Sequence, residues 1–186
     1  ITVPGKSDDY LLWEGVDLPA TFANPATEPD VEHLCMAMLV LEGSASDIAT
    51  ANWDGLVEKA MNELTGNVTK IIVCVRSEDL RQAALAAQLI KFHGCAVLAV
   101  NDEPHYRPFL VGRFSQINRW AAAPENKAVI GRLIDIAVSK PTLMMGLSAQ
   151  DSNIQALFAS AEATMRWPWP GERPSFVFSG DKVGAD

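Results

Sequence analysis

The chain of 186 residues is long enough for one α/β domain and scarcely two. Hydrophobic residues make up 48% of it, enough to build a core, and no apolar run could cross a bilayer uninterrupted, so the sequence reads as a soluble protein with no membrane partner. With 15 basic against 23 acidic residues the formal net charge is −8, and Arg107, Arg113 and Arg119 are too dispersed to form a basic patch, which excludes nucleic acid as a partner.

The chain begins on Ile1 with no visible signal peptide, and reads as a piece of a longer protein. Residues 1–27 are irregular and rich in Pro, Gly, Asp and Ala. Residues 28–41, "EPDVEHLCMAMLVL", place acids first and apolar residues after, as a helix start requires, and Gly43 can end that helix. "DIATAN", residues 47–52, predicts a short buried strand, and "WDGLVEKAMNEL" a helix with Leu56, Ala60 and Leu64 on one face. "TKIIVCVR" is apolar throughout and predicts a strand buried on both sides. Ser77 and two following acids predict a helix over residues 77–94 that closes on Gly94, and "CAVLAV" predicts the next strand.

Residues 101–124 are long and mixed. "ENKAVIGRLIDIAVSK" predicts an amphipathic helix that stops before Pro141. "PTLMMGLS" predicts a strand, residues 149–167 a helix ended by "PWPG", and "SFVFSG" the last strand. Alternating strands and helices imply parallel pairing through right-handed crossovers: a doubly wound α/β sheet flanked by helices, as a single domain over residues 1–186.

Cys35, Cys74 and Cys95 each stand alone in apolar surroundings, and no Cys-x-x-Cys occurs. They read as buried thiols of a reducing cytoplasm. His33, His93 and His105 lack metal-site spacing, so no structural zinc or other metal is expected.

Ligands of such a sheet bind at the carboxyl ends of its strands. The residues at the expected exits are Asn52 and Asp54, then Asn101 and Asp102, then Gly146, Ser148, Gln150 and Asp151. His93 falls at an expected helix end, where Gly94 permits a tight turn. Each has a plainer reading. Asn52, Asp54, Ser148 and Asp151 could cap helices, His93 could cap a helix end or lie on the surface, and Trp53 could be core.

Taken together and in order, "TANWDGL", "KFHG" and "MMGLSAQDSNI" resemble the sirtuin family. The likeness is closer to its bacterial branch, with segments of the type Thr-Asn-Tyr-Asp, Lys-Leu-His-Gly and Gly-Phe-Ser-x-x-Asp-x-Asn. It covers residues 47–158. The resemblance implies a Rossmann-like domain that takes NAD as substrate or ligand. Asn52 and His93 fall on its catalytic positions. Thr50, Asn52, Asp54, Gly94, Gly146, Ser148 and Asp151 fall on its cofactor contacts.

Three departures qualify what carries over. Ala51 stands where the family has Thr or Gln, and residues 101–124 stand where a sirtuin has its zinc ribbon. The Gly-Ala-Gly loop that cradles the NAD pyrophosphate has no counterpart near Ile1, so it either precedes this stretch or has been lost.

The chemistry implied is cleavage of the nicotinamide–ribose bond through an oxocarbenium-like ribose. A neutral amide such as Asn52 orients ribose or water without acting as a base, and a neutral histidine accepts a proton. Hydrolysis, in a role such as bacterial defence, is the leading expectation. A non-catalytic sensor of NAD or ADP-ribose, an NAD-dependent protein deacylase and an interaction protein without a ligand stay open beside it. Other domains of the same protein, or a second copy of the chain, are the expected macromolecular partners.

Overall fold

The computed structural model describes residues 4–7, 9–66, 70–82, 86–146, 152–165 and 175–178. They fall into two compact units, Ile1–Arg113 and Phe114–Asp186. The first unit holds α1 (Leu18–Phe22), α2 (Val31–Leu41), β1 (Asp47–Thr50), α3 (Leu56–Thr65), β2 (Ile71–Cys74), β3 (Ala87–Lys91), α4 (Ala96–Asn101) and α5 (Glu103–Tyr106).

Its strands form a parallel sheet in the order β1-β3-β2. Thr50 pairs with Lys91, and Cys74 with Ile90, so all three strands end on the same edge. The fold is therefore mixed α/β, a Rossmann-like parallel sheet flanked by helices, as the alternating pattern implies.

Two expected elements differ. Residues 77–94 do not form one helix: Asp79–Arg81 is a single 3₁₀ turn, and the central strand β3 follows. Ala, Gln, Leu and Lys favour a helix locally, but backbone hydrogen bonds from strands on both sides outweigh that preference. The expected strand at residues 95–100 is instead the helix α4, which buries Ala96 and Ala99 three positions apart. A short apolar run fits either structure, and here burial beside α1 decides it.

One face of the sheet packs under α2 and α3. Ala37 and Val40 of α2 meet Val57, Ala60 and Met61 of α3, over Ile71, Ala87 and Leu89. The inward stripe of α3 is thus Val57, Ala60 and Met61, whereas Leu64 is 43% exposed. Helix α2 starts on a capping box in which Asp30 accepts from Glu32 and His33 N–H. Gly43, at φ +71°, lies just beyond its end. Cys35 lies on the outer side of α2 and is exposed, contrary to the expectation of a buried thiol; Cys74 and Cys95 are buried. A second apolar cluster joins Leu12, Leu18, Ala96, Ala99 and Leu110, with Phe22, Trp53 and Tyr106 packed against it.

The second unit contains α6 (Phe114–Trp120), α7 (Lys127–Ser139), β4 (Leu143–Met145), α8 (Ser152–Thr164) and β5 (Phe176–Phe178). The strands β4 and β5 are parallel, and α8 lies between them in the chain, as parallel pairing requires. Helix α7 occupies nearly the whole stretch expected to be helical and buries Val129 and Leu133. Asn126, just before it, donates through its side-chain amide to the Trp120 carbonyl at 3.0 Å.

Candidate functional site

Asn52 and His93 leave adjacent parallel strands at the same edge. Thr50 and Lys91 are register partners, and Phe92 N–H donates to the Thr50 carbonyl at 3.2 Å, extending the ladder past the last strand residue. Each candidate lies two residues beyond one of these partners. Neighbouring strands run about 4.8 Å apart, so the two segments emerge side by side. His93 was expected at a helix end; it sits at a strand exit because the strand there is β3. Asn101 and Asp102 were expected at a strand exit. They close α4 instead, where Asp102 bonds the ring of His105 at 2.8 Å.

The polar residues after β1 divide their roles. Asp54 Oδ1 accepts from Leu56 N–H at 3.1 Å, which satisfies a donor at the start of α3. Gly55 takes the N-cap position with no side chain to contribute, and a Cβ there would meet Val97 at 2.9 Å. Asn52 is therefore not needed as a cap. Its backbone N–H donates to Thr50 Oγ1 at 3.1 Å, the residue is exposed, and its side-chain amide has no hydrogen-bond partner among the described residues.

His93 is 6% exposed, with its ring edge-on to Phe92 at 4.7 Å between centroids. Its backbone carbonyl accepts from Val111 N–H and from Trp53 Nε1–H, both at 3.0 Å. Gly94 follows at φ +95°, where a Cβ would lie 2.8 Å from the Phe109 carbonyl oxygen and 3.0 Å from Leu110 Cα. Glycine is required there both for the left-handed backbone and for the close approach of residues 109–110.

Several cross-links join the segment 52–54 to the segment 91–96. The Trp53 indole donates to His93, Ala96 N–H donates to the Trp53 carbonyl at 2.8 Å, and the Lys91 ammonium donates to the Asp54 carbonyl. Lys91 did not stand out in the sequence. It is 1% exposed, and its Nζ also reaches Glu58 Oε1 at 2.7 Å and Cys95 Sγ at 3.7 Å. Burial alone would depress the lysine pKa, but the Glu58 carboxylate, Cys95 and Asp54 together hold it above its usual value. Burial raises the Cys95 thiol, with Lys91 opposing. The signal was a lysine ending an apolar run, two positions before His93.

A further polar group closes the exit of β2. Asp79, 1% exposed, accepts from Val75 N–H at 3.0 Å, Arg76 N–H at 2.9 Å and the Tyr106 hydroxyl at 3.0 Å. The Arg76 guanidinium lies 4.3 Å from the Tyr106 ring centroid. Burial, and then the bond to Asp79, push the Tyr106 hydroxyl pKa up. Asp79 was expected in the first turn of a helix; its carboxylate instead satisfies the backbone where the strand stops.

Of the other candidates, Thr50 ends β1 and receives the Asn52 N–H. Gly146 follows β4 in the second unit at φ +60°, exposed, with open space around an added Cβ. Ser148 and Asp151 lie outside the described residues. No group of three His, Cys, Asp or Glu among the described residues could hold a metal ion.

The strand exits that converge here carry the motif residues of one family, and a family model described as a SIR2-like domain matches residues 46–182. The chain belongs to the SIR2-like family. The match begins one residue before β1 and takes in both the Asn52 and the His93 segments. Membership supports a sirtuin-like, NAD-related function in general terms. No curated protein matches the chain. No helix among the described residues of this SIR2-like chain is long and apolar enough to cross a membrane.

Proposed function

We propose that the protein hydrolyses NAD at the nicotinamide–ribose bond, with Asn52 and His93 as the catalytic residues. The observation that carries the proposal is the pairing of an exposed Asn52 amide, unpartnered among the described residues, with the buried His93 on one sheet edge, the two segments joined through Trp53. Ligands of parallel α/β sheets bind at this edge. The residues fit the chemistry. Asn52 orients a ribose hydroxyl or a water without competing as a base, and His93 receives the proton. Thr50 and Asp54 set the conformation of the segment carrying Asn52, and Gly94 keeps the one carrying His93 close to residues 109–110. Gly146, Ser148 and Asp151 are proposed as further NAD contacts. Hydrolysis is favoured over deacylation because residues 101–124, which stand where a sirtuin has the zinc ribbon that walls its acyl-lysine cleft, carry no Cys-x-x-Cys.

The test is nicotinamide release from NAD by the full-length protein, followed by chromatography. Asn52→Ala and His93→Ala should each lower turnover by about 10²–10⁴-fold, the range that positioned proton transfer and orientation supply. Release that persists undiminished in both variants would remove these residues from catalysis. NAD binding with no release by the wild-type protein would assign the site to sensing.

A further inference from the structure

A lysine ending the central strand of a parallel sheet is expensive. Its ammonium must leave water, and a well-packed apolar residue in its place is often as stable or more so. Lys91 nonetheless lies fully inside the first unit. Its stem alternates onto the face that also carries Ala87 and Leu89, beneath α3. An ammonium has three donors, and three acceptors surround this one: Glu58 Oε1 from α3, the Asp54 carbonyl, and Cys95 Sγ at the start of α4. They come from two stretches of chain, residues 54–58 entering α3 and Cys95 just beyond the His93 turn. Two of the acceptors adjoin the candidate catalytic residues, Asp54 two positions after Asn52 and Cys95 two positions after His93, and Lys91 itself lies two positions before His93.

We propose that Lys91, held by Glu58, is a positioning residue that fixes the Asn52–Asp54 segment against the His93 turn through its bond to the Asp54 carbonyl. This rests on the NAD-cleaving reading for its kinetic consequence, though not for its structural one. Asp54 has no other described bond that pulls it toward β3, since its carboxylate is turned to Leu56 N–H. The ammonium thus ties Asp54 to the end of β3, beside the Ala96–Trp53 and Trp53–His93 bonds that join the same two segments. Glu58 keeps the lysine charged and directed; its second oxygen, Oε2, is buried with no hydrogen-bond partner among the described residues, so the carboxylate's one described bond is the one to Lys91.

The test uses the full-length protein carrying Lys91→Met together with Glu58→Leu, which removes both charges and leaves none buried alone. The double variant should unfold at a denaturant concentration close to that of the wild type. Its kcat for nicotinamide release should fall by about a hundredfold with KM changed by no more than about threefold, the pattern of a misplaced catalytic group. Independently of NAD, hydrogen exchange at Ala96 N–H, bound to the Trp53 carbonyl, should become about tenfold faster, while that within α3 stays unchanged. Wild-type exchange at Ala96 in the double variant overturns the proposal. So does an unchanged kcat, or a fall in kcat matched by loss of folded protein, because the pair would then be structural only. If the wild-type protein releases no nicotinamide, the hydrolase reading fails, and the exchange measurement alone decides the role of Lys91.

Discussion

The Trp53 indole N–H donates to the His93 backbone carbonyl at 3.0 Å, joining residues 40 apart in the sequence across the exits of β1 and β3. The indole is held from its other side by Phe22, edge-on at 5.0 Å between centroids. Trp53 therefore serves both as core and as the tie between the two motif segments, which explains a large aromatic between two polar residues.

Replacing Trp53 by Phe keeps an aromatic ring near Phe22 and removes the donor together with part of the indole's packing volume. The His93 carbonyl retains Val111 N–H, so loss of the bond and of packing together should cost about 1–3 kcal/mol. Under the proposed NAD hydrolysis, turnover should fall further, by about tenfold, because the spacing of Asn52 and His93 loses a constraint. Denaturant unfolding and nicotinamide release measured on one preparation separate the two effects. Wild-type kcat in this variant would show that the indole bond does not matter to the site.

Gly94→Ala should be among the most damaging single-methyl changes in the first unit. The backbone is left-handed, and the atoms opposing a Cβ are the Phe109 carbonyl oxygen and Leu110 Cα, which cannot rotate away. Strain and overpacking together should cost about 2–5 kcal/mol. Gly43→Ala, at φ +71° with open space around it, is the control for backbone strain alone and should cost less. Equal losses in the two, measured by urea unfolding, would mean that residues 109–110 yield.

Asp79→Ala leaves the buried N–H of Val75 and the N–H of Arg76 without their carboxylate acceptor. Stability should drop by about 3 kcal/mol, since each abandoned buried donor costs about 1–3 kcal/mol. Asp79→Asn retains an acceptor oxygen and should lose less than half of that. The comparison by denaturant unfolding reads whether the backbone acceptors dominate: a loss as large in Asn as in Ala would place the weight on charge and Arg76 instead.

The sequence alone determined the fold class, because alternating apolar runs and capped amphipathic stretches are local signals of a parallel α/β sheet. It also determined the family, because "TANWD" and "KFHG" are contiguous residues with their chemistry in view. What it could not decide was the structure around the second motif. Residues 87–91 prefer a helix by composition and form the central strand only because β1 and β2 bind it on both sides; residues 96–101 could be either and become helical through burial of Ala96 and Ala99. That exchange moves His93 from a helix end to a strand exit beside Asn52. The division of labour between Asn52 and Asp54 was likewise invisible, since both are good caps and only the Leu56 bond assigns that role to Asp54. Lys91 was hidden for the same reason: a lysine is read as solvated until acceptors from residues 54–58, more than thirty positions away in the chain, are brought around its ammonium beside Cys95, and only the tertiary structure does that.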